Sequence, residues 1–351
     1  MKKILILLSF IFALMIFESR ATVVLVYHHV SDSTPKSTSI TPQQFAKHLQ
    51  YFRDNGFKVI PLNEMVDKLK AKQPLEDKTV VITFDDGYSD ILHNGHPLLT
   101  KFNYPYTVFI NPSTVPDKQG SYLTWPQIKH MVDDGVLIAN HGLAHDSLIK
   151  VPAGVDNDVW LTEKLTELQQ AEKIIEQHTG QSWRYFALPY GEYTPKAQQQ
   201  LEKLGYVVFT QQSGAVGEHT DLTAIPRFPA SMPYDQIGPL KNKLNALAFN
   251  VSEQTQRSAT IVPYGQQPDT EINLEVKDFY PNMLSCFISG KGKAEINWQT
   301  DNQFAMGFAG AFAPGRQRAN CTAPSIAKPG RYYWYSKPWF VPNKDGSWYQ
   351  N

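Results

Sequence analysis

Two clusters of residues have the types and spacing that metal-assisted hydrolysis needs. Asp85-Asp86-Gly87-Tyr88 sets two adjacent carboxylates directly after the apolar, β-branched run at 80–84. Neighbouring side chains leaving a strand project in different directions, so one carboxylate can bind an ion while the other faces water or substrate. Asn140-His141-Gly142-Leu143-Ala144-His145 follows a similar run at 136–139 and places two histidines four apart, a spacing that lets two imidazoles converge on one ion. Taken singly, Asp-Asp-Gly is an ordinary turn and a histidine pair is ordinary surface. Both sit at carboxyl ends of strands, and two imidazoles with one carboxylate are three protein ligands, which leaves positions for water and substrate on a catalytic ion.

The elements that must position these groups alternate. Short strand-like runs at 23–27, 80–84, 106–110, 136–139, 185–188 and 207–210 are separated by helical patterns, which argues for a parallel α/β core. Thr41-Pro42-Gln43-Gln44 offers an N-cap, a first-turn proline and a capping-box glutamine for a helix that Gly56 ends, and 160–178 reads as a second helix closed by Gly180. Periodicity alone does not choose between a barrel and an open sheet.

At this point a resemblance becomes specific. Thr83-Phe84-Asp85-Asp86-Gly87-Tyr88, His141-Gly142-Leu143-Ala144-His145 and Phe186-Ala187-Leu188-Pro189-Tyr190-Gly191, in this order and spacing, resemble the first three motifs of the polysaccharide deacetylases, carbohydrate esterase family four. Val26-Tyr27-His28-His29-Val30 and Ile225-Pro226-Arg227 are similar in particular to the branch that includes the biofilm poly-N-acetylglucosamine deacetylases, and the likeness runs over about 22–231. The resemblance implies a distorted (β/α) barrel. It implies Asp86, His141 and His145 as ligands of a divalent ion, zinc before cobalt or nickel, Asp85 as general base, and the Tyr190 backbone N–H as oxyanion donor. Two departures stand out. Where many members carry an arginine that orients the catalytic aspartate this chain has Ala187, and Arg227 is preferred over Arg184 for that role. No histidine follows His219, so the early His28 is expected to replace the usual late acid histidine, while His29, His48, His93, His96, His130, His178 and His219 read as surface or structural.

The 351 residues are 42% hydrophobic and 19% charged, with 33 basic side chains against 33 acidic ones, so neither disorder nor a nucleic-acid partner is expected. Lys2 and Lys3, the apolar run 4–17 and Ser19-Arg20-Ala21 read as a signal peptide over 1–21, too short for the roughly 20 residues of a membrane span. The mature protein is therefore expected to be periplasmic or secreted without stable membrane insertion; oligomeric state is left open. The barrel is assigned to 22–248 and a small β-sandwich to 258–351, from the helix-free strand pattern at 260–262, 271–276, 284–289, 294–298, 304–308 and 332–335. Cys286 and Cys321 are expected to be bonded in an exported chain. Tyr332 to Tyr335, Trp339, Phe340 and Trp348 read as sandwich core in preference to a glycan-stacking surface. The expected activity is hydrolysis of N-acetyl groups on an N-acetylglucosamine-containing polysaccharide or oligosaccharide, with the N-acetylated glycan as partner. An O-acetyl esterase, a peptidoglycan deacetylase and an inactive glycan-binding protein are the alternatives.

Overall fold

Strand Thr22–Tyr27 is buried at every position and pairs in parallel on both sides, with Thr79–Phe84 and with Phe228–Pro229. The computed structural model describes residues 21–350, so the expected signal peptide, Ala21 apart, lies outside the described residues. From Thr79–Phe84 the parallel sheet continues through Thr107–Ile110, Leu137–Asn140, Tyr185–Ala187 and Val207–Phe209. Lys58–Val59 adds an eighth strand beside the start of Thr79–Phe84. Ile225 then bridges Phe209 in parallel, three residues before Phe228 pairs with Leu25. Residues 225–229 thus span the gap between the last strand and the first, and the sheet is a distorted barrel.

The six longer strands of this sheet are buried on both faces, which is why they read as continuous apolar runs. In Thr22–Tyr27 the residues Val23, Leu25 and Tyr27 pack with Phe45, Leu49 and Phe52 of helix Pro42–Asp54, whereas Val24 joins Val81, Phe109, Ala187, Phe209 and Ile225 in a separate cluster. That parity puts His28 in line with Val24 and opposite to Tyr27 and His29. Thr41 caps the first helix by accepting from the Gln44 N–H at 3.1 Å. The long helix runs over Asn157–Thr179 and starts earlier than its apolar pattern, because Asp156 caps the N–H groups of Asp158 and Val159.

Two further sheets follow. One has five strands in the order Ala246–Ala248, Tyr332–Val341, Gly315–Pro324, Ser285–Ile288 and Gly292–Lys293. The other orders Asn250–Val251, Glu271–Val276, Gln303–Gly307 and Glu295–Trp298. Ile288, Ala319, Cys321 and Trp339 from the first share a core with Ile272, Leu274, Phe304 and Met306 from the second, as in a sandwich. Ala246–Ala248, at the end of the segment read as barrel, pairs with Tyr332–Trp334 inside this region. The ten-residue strand Gly315–Pro324 is absent from the sequence reading: its inward residues at 319, 321 and 323 are Ala, Cys and Ala, too small for an apolar alternation to stand out. Trp339 and Phe340 are buried, as core packing requires, while Tyr332 is exposed.

Cys286 and Cys321 are directly opposite in antiparallel register and are disulfide-bonded across 35 residues of sequence. Closing a loop of that length stabilises the folded state by about 3–4 kcal/mol on the chain-entropy model. Reduction, or the Cys286→Ser/Cys321→Ser pair, should lower the melting temperature of the C-terminal sheets by several degrees. Calorimetry with and without reductant checks this, and two titratable thiols in the untreated protein would contradict it.

Candidate active site

The chain leaves Thr79–Phe84 with the Asp85 N–H still donating to the Tyr27 carbonyl at 3.0 Å, so Asp85 continues the strand into the barrel mouth. Asp86 then turns sharply, with φ 70°, and Gly87 follows at φ 72°. A Cβ on Gly87 would lie 2.9 Å from the Ile110 side chain, so both the conformation and the close approach demand glycine. Asp86, His145 (φ 63°) and Tyr190 (φ 61°) are three of the seven non-glycine residues in the left-handed region among the described residues. Such backbone costs about 1–3 kcal/mol per residue and persists only where its surroundings over-determine it.

Asp85 has no solvent exposure and is gripped by Arg227, which has none either. Nη1 donates to Oδ1 and Nη2 to Oδ2, both at 2.7 Å. Two further guanidinium N–H groups are used: Nε reaches the Thr210 carbonyl at 2.9 Å and Nη1 the Thr83 hydroxyl at 3.3 Å, with Cζ 5.5 Å from the Phe109 ring centre. Burial acts to raise the Asp85 pKa, but Arg227, with His141 and His28 nearby, outweighs it and holds the carboxyl below the usual range. The expected alternative, Arg184, lies elsewhere and donates to the Leu204 carbonyl.

Asp86 Oδ1 is 3.2 Å from His141 Nε2 and 3.4 Å from His145 Nε2, and the three ligand atoms all lie within 4.8 Å of one another. His141 Nδ1 donates to the Ala187 carbonyl at 2.7 Å, which fixes its tautomer and leaves Nε2 as the free donor pair. Burial, with His141 alongside, pushes His145 down to about 4, and burial of Asp86 is outweighed by His141 so that its carboxyl stays well below the ordinary range. A neutral imidazole, an anionic carboxylate and a locked second imidazole are what a divalent ion such as zinc takes as three ligands. The donor set therefore fits such an ion.

His28 completes the rim. Burial pushes its pKa down, while Asp85 and Asp86 pull the other way and Arg227 and His141 oppose them. His29 turns aside, bonds Asp90 at 2.7 Å and stacks on Tyr88 at 3.6 Å. The Tyr190 ring packs edge-on against His145 at 4.6 Å. Its turn needs Gly191, where a Cβ would meet the Gln211 backbone N at 2.7 Å. Sequence reading missed two supports of the histidine loop. Asn140 Oδ1 accepts from the Gly142 N–H at 2.8 Å, and Asn111 Nδ2 donates to the His141 and Gly142 carbonyls. Both asparagines end or directly follow a strand, so the strand-end logic that found the aspartates could have found them.

Residues 72–209 match the family model for polysaccharide deacetylase. YxkH of Bacillus subtilis (strain 168), which carries the same family name, is 26% identical over 209 residues, 59% of this chain and 71% of that protein. The poly-beta-1,6-N-acetyl-D-glucosamine N-deacetylase of Escherichia coli (strain K12) is 24% identical over 250 residues, and the match spans 58% of this chain but 36% of that longer enzyme. Among solved structures, IcaB from Ammonifex degensii is 29% identical with a TM-score of 0.56, over 65% of this chain and 98% of that one. The motifs, the barrel and these likenesses agree: residues 72–209 carry a polysaccharide deacetylase domain, the signature of hydrolases acting on carbon–nitrogen bonds other than peptide bonds.

Proposed function

We propose that the chain is a metal-dependent N-deacetylase that hydrolyses the N-acetyl groups of an N-acetylglucosamine-containing polysaccharide or oligosaccharide. The observation that carries this reading is the pairing of a buried, ionised Asp85 with Arg227, one residue away from the Asp86, His141 and His145 triad. Relatives named as poly-beta-1,6-N-acetyl-D-glucosamine N-deacetylases from Escherichia coli and Staphylococcus epidermidis support the choice of glycan. The signal peptide expected at 1–21 supports an enzyme that acts in the periplasm or outside the cell.

Asp86, His141 and His145 would hold the ion, which when bound supplies Lewis acidity toward an amide carbonyl and toward water. Asp85 takes the proton of the attacking water. A carboxylate has about four lone-pair sites, so two bonds from Arg227 leave it able to accept another. Arg227 keeps it charged and fixed in direction. The Tyr190 N–H faces the oxygen on which negative charge develops, and His28 delivers the proton that the departing amine requires. Arg227 is thereby a positioning residue rather than a proton carrier.

Acetate release from defined N-acetylglucosamine oligomers, O-acetylated glycans and peptidoglycan, with and without zinc, cobalt or nickel, tests the reading. Metal-stimulated release from the β-1,6-linked oligomer is expected, and release from the esters or peptidoglycan alone would overturn it. His141→Ala should lose metal and activity together, whereas Asp85→Asn should keep the metal and lose turnover by several orders of magnitude; elemental analysis separates the two. Replacing His28 by Ala should cut amide hydrolysis by roughly 10²–10⁴ fold with metal retained, and an ester with a good leaving group much less. A larger loss in His29→Ala than in His28→Ala would contradict the assignment of the acid.

A further inference from the structure

The turn that carries Tyr190 is held from outside the barrel. Its carbonyl accepts from Arg316 Nη1 at 3.4 Å, and the same guanidinium lies 5.8 Å from the Tyr190 ring centre. Two residues on, Glu192 has no solvent exposure, and its carboxylate accepts from the Tyr349 hydroxyl at 2.7 Å and from the Ser147 hydroxyl at 2.6 Å. The next residue, Tyr193, offers its carbonyl to the Thr260 hydroxyl at 2.5 Å and its ring edge-on to Phe340 at 6.2 Å. Arg316, Tyr349 and Thr260 all come from the region beyond residue 257, on separate segments, and converge on three of four consecutive residues of the barrel loop.

Ser147 follows the ligand His145 by two residues, so Glu192 ties the histidine loop to this turn, and the bond from Tyr349 anchors both to the C-terminal tail. Lys150 fills the space between the rings of Tyr190, at 5.2 Å, and Tyr349, at 4.3 Å, with its ammonium 3.7 Å from Glu192 Oε1. Tyr190 sits at φ 61°, a conformation that relaxes unless neighbours enforce it. The amide and carbonyl of one residue flank the same Cα, so bonds that immobilise the carbonyl limit rotation of the amide. The barrel adds its own supports, Gln212 to the Gly191 carbonyl and the Gly191 N–H to the Leu188 carbonyl, while the bond to the Tyr190 carbonyl itself comes from Arg316.

We infer that the C-terminal domain is part of the frame of the active site, with Arg316, Tyr349 and Thr260 as positioning residues that aim the Tyr190 N–H. This rests on the reading of Tyr190 as oxyanion donor. The sandwich region is then no detachable appendage, and a chain that loses its tail at Tyr349 loses alignment of the site while retaining the triad. A misdirected donor lowers turnover without weakening ground-state binding, because the bond it makes strengthens only as charge develops.

Arg316→Gln, Tyr349→Phe and Thr260→Val, singly and together in the full chain, test this on 4-nitrophenyl acetate and on an N-acetylglucosamine oligomer. Amide hydrogen exchange of residues 190–193, bound metal and melting temperature are measured alongside. Each change should lower kcat on both substrates by roughly 10-fold and the triple by up to roughly 100-fold, with KM, metal content and melting temperature little changed. Exchange at 190–193 should quicken, and Arg316→Lys, which keeps a donor, should recover part of the loss. Unchanged kcat with unchanged exchange, or a fall in kcat only in step with melting temperature, would overturn the inference. A wild-type protein that cleaves the ester but not the oligomer would count against the glycan reading alone. The ester and the exchange rates would still report on the turn.

Discussion

A carboxylate with no solvent-exposed surface stays charged in this barrel because a guanidinium, equally buried, meets both its oxygens at 2.7 Å. Desolvating either ion alone costs several kcal/mol, and removing one partner leaves the other buried and unpaired, at about 3–5 kcal/mol. The pair also depends on how the sheet closes. Asp85 ends the strand next to Thr22–Tyr27, whereas Arg227 rides on residues 225–229, which join the last strand back to the first. Barrel closure is therefore what brings Arg227 onto Asp85. Since the carboxyl is held below its ordinary range, the pairing stabilises the fold above the pKa of an unfolded aspartate, and that contribution is lost as pH falls through the folded value.

Around this pair the backbone is bent at the residues proposed to carry the chemistry. Asp86, His145 and Tyr190 each take the left-handed region, and each is restrained by groups that belong to other segments. His141 is pinned through its Nδ1 by the Ala187 carbonyl and through its own carbonyl by Asn111. Asn140 in turn is tied to the long helix through the Leu168 carbonyl and Glu172. Rim residues that must converge within a few ångströms are thus set by side chains one shell further out, and the strands supply only their starting points.

Much of this was legible in the sequence for identifiable reasons. Fully buried parallel strands read as apolar β-branched runs, so six of them stood out within a residue or two of their ends. The motifs at 83–88, 141–145 and 186–191 pointed to the family, and the comparisons agree. The absence of any histidine after His219 singled out His28, and strand alternation sets its neighbour His29 on the other side. The long strand Gly315–Pro324 escaped because Ala319, Cys321 and Ala323 carry too little apolar surface to mark its inner face. Nor could spacing reveal that Arg316 and Tyr349 reach the Tyr190 turn, since contacts between residues more than a hundred positions apart leave no local pattern.

The central claim, that Asp85 is a buried carboxylate kept ionised by Arg227 and ready to accept a proton, can be measured directly. Carbon-13 NMR of metal-free protein labelled at aspartate carboxyls, with Asp85→Asn to identify the resonance, should give a titration midpoint below the ordinary value of about 3.9. The same resonance in Arg227→Met should titrate at higher pH than in the wild type. A wild-type midpoint at or above the ordinary value, or one indifferent to the loss of Arg227, would contradict the account.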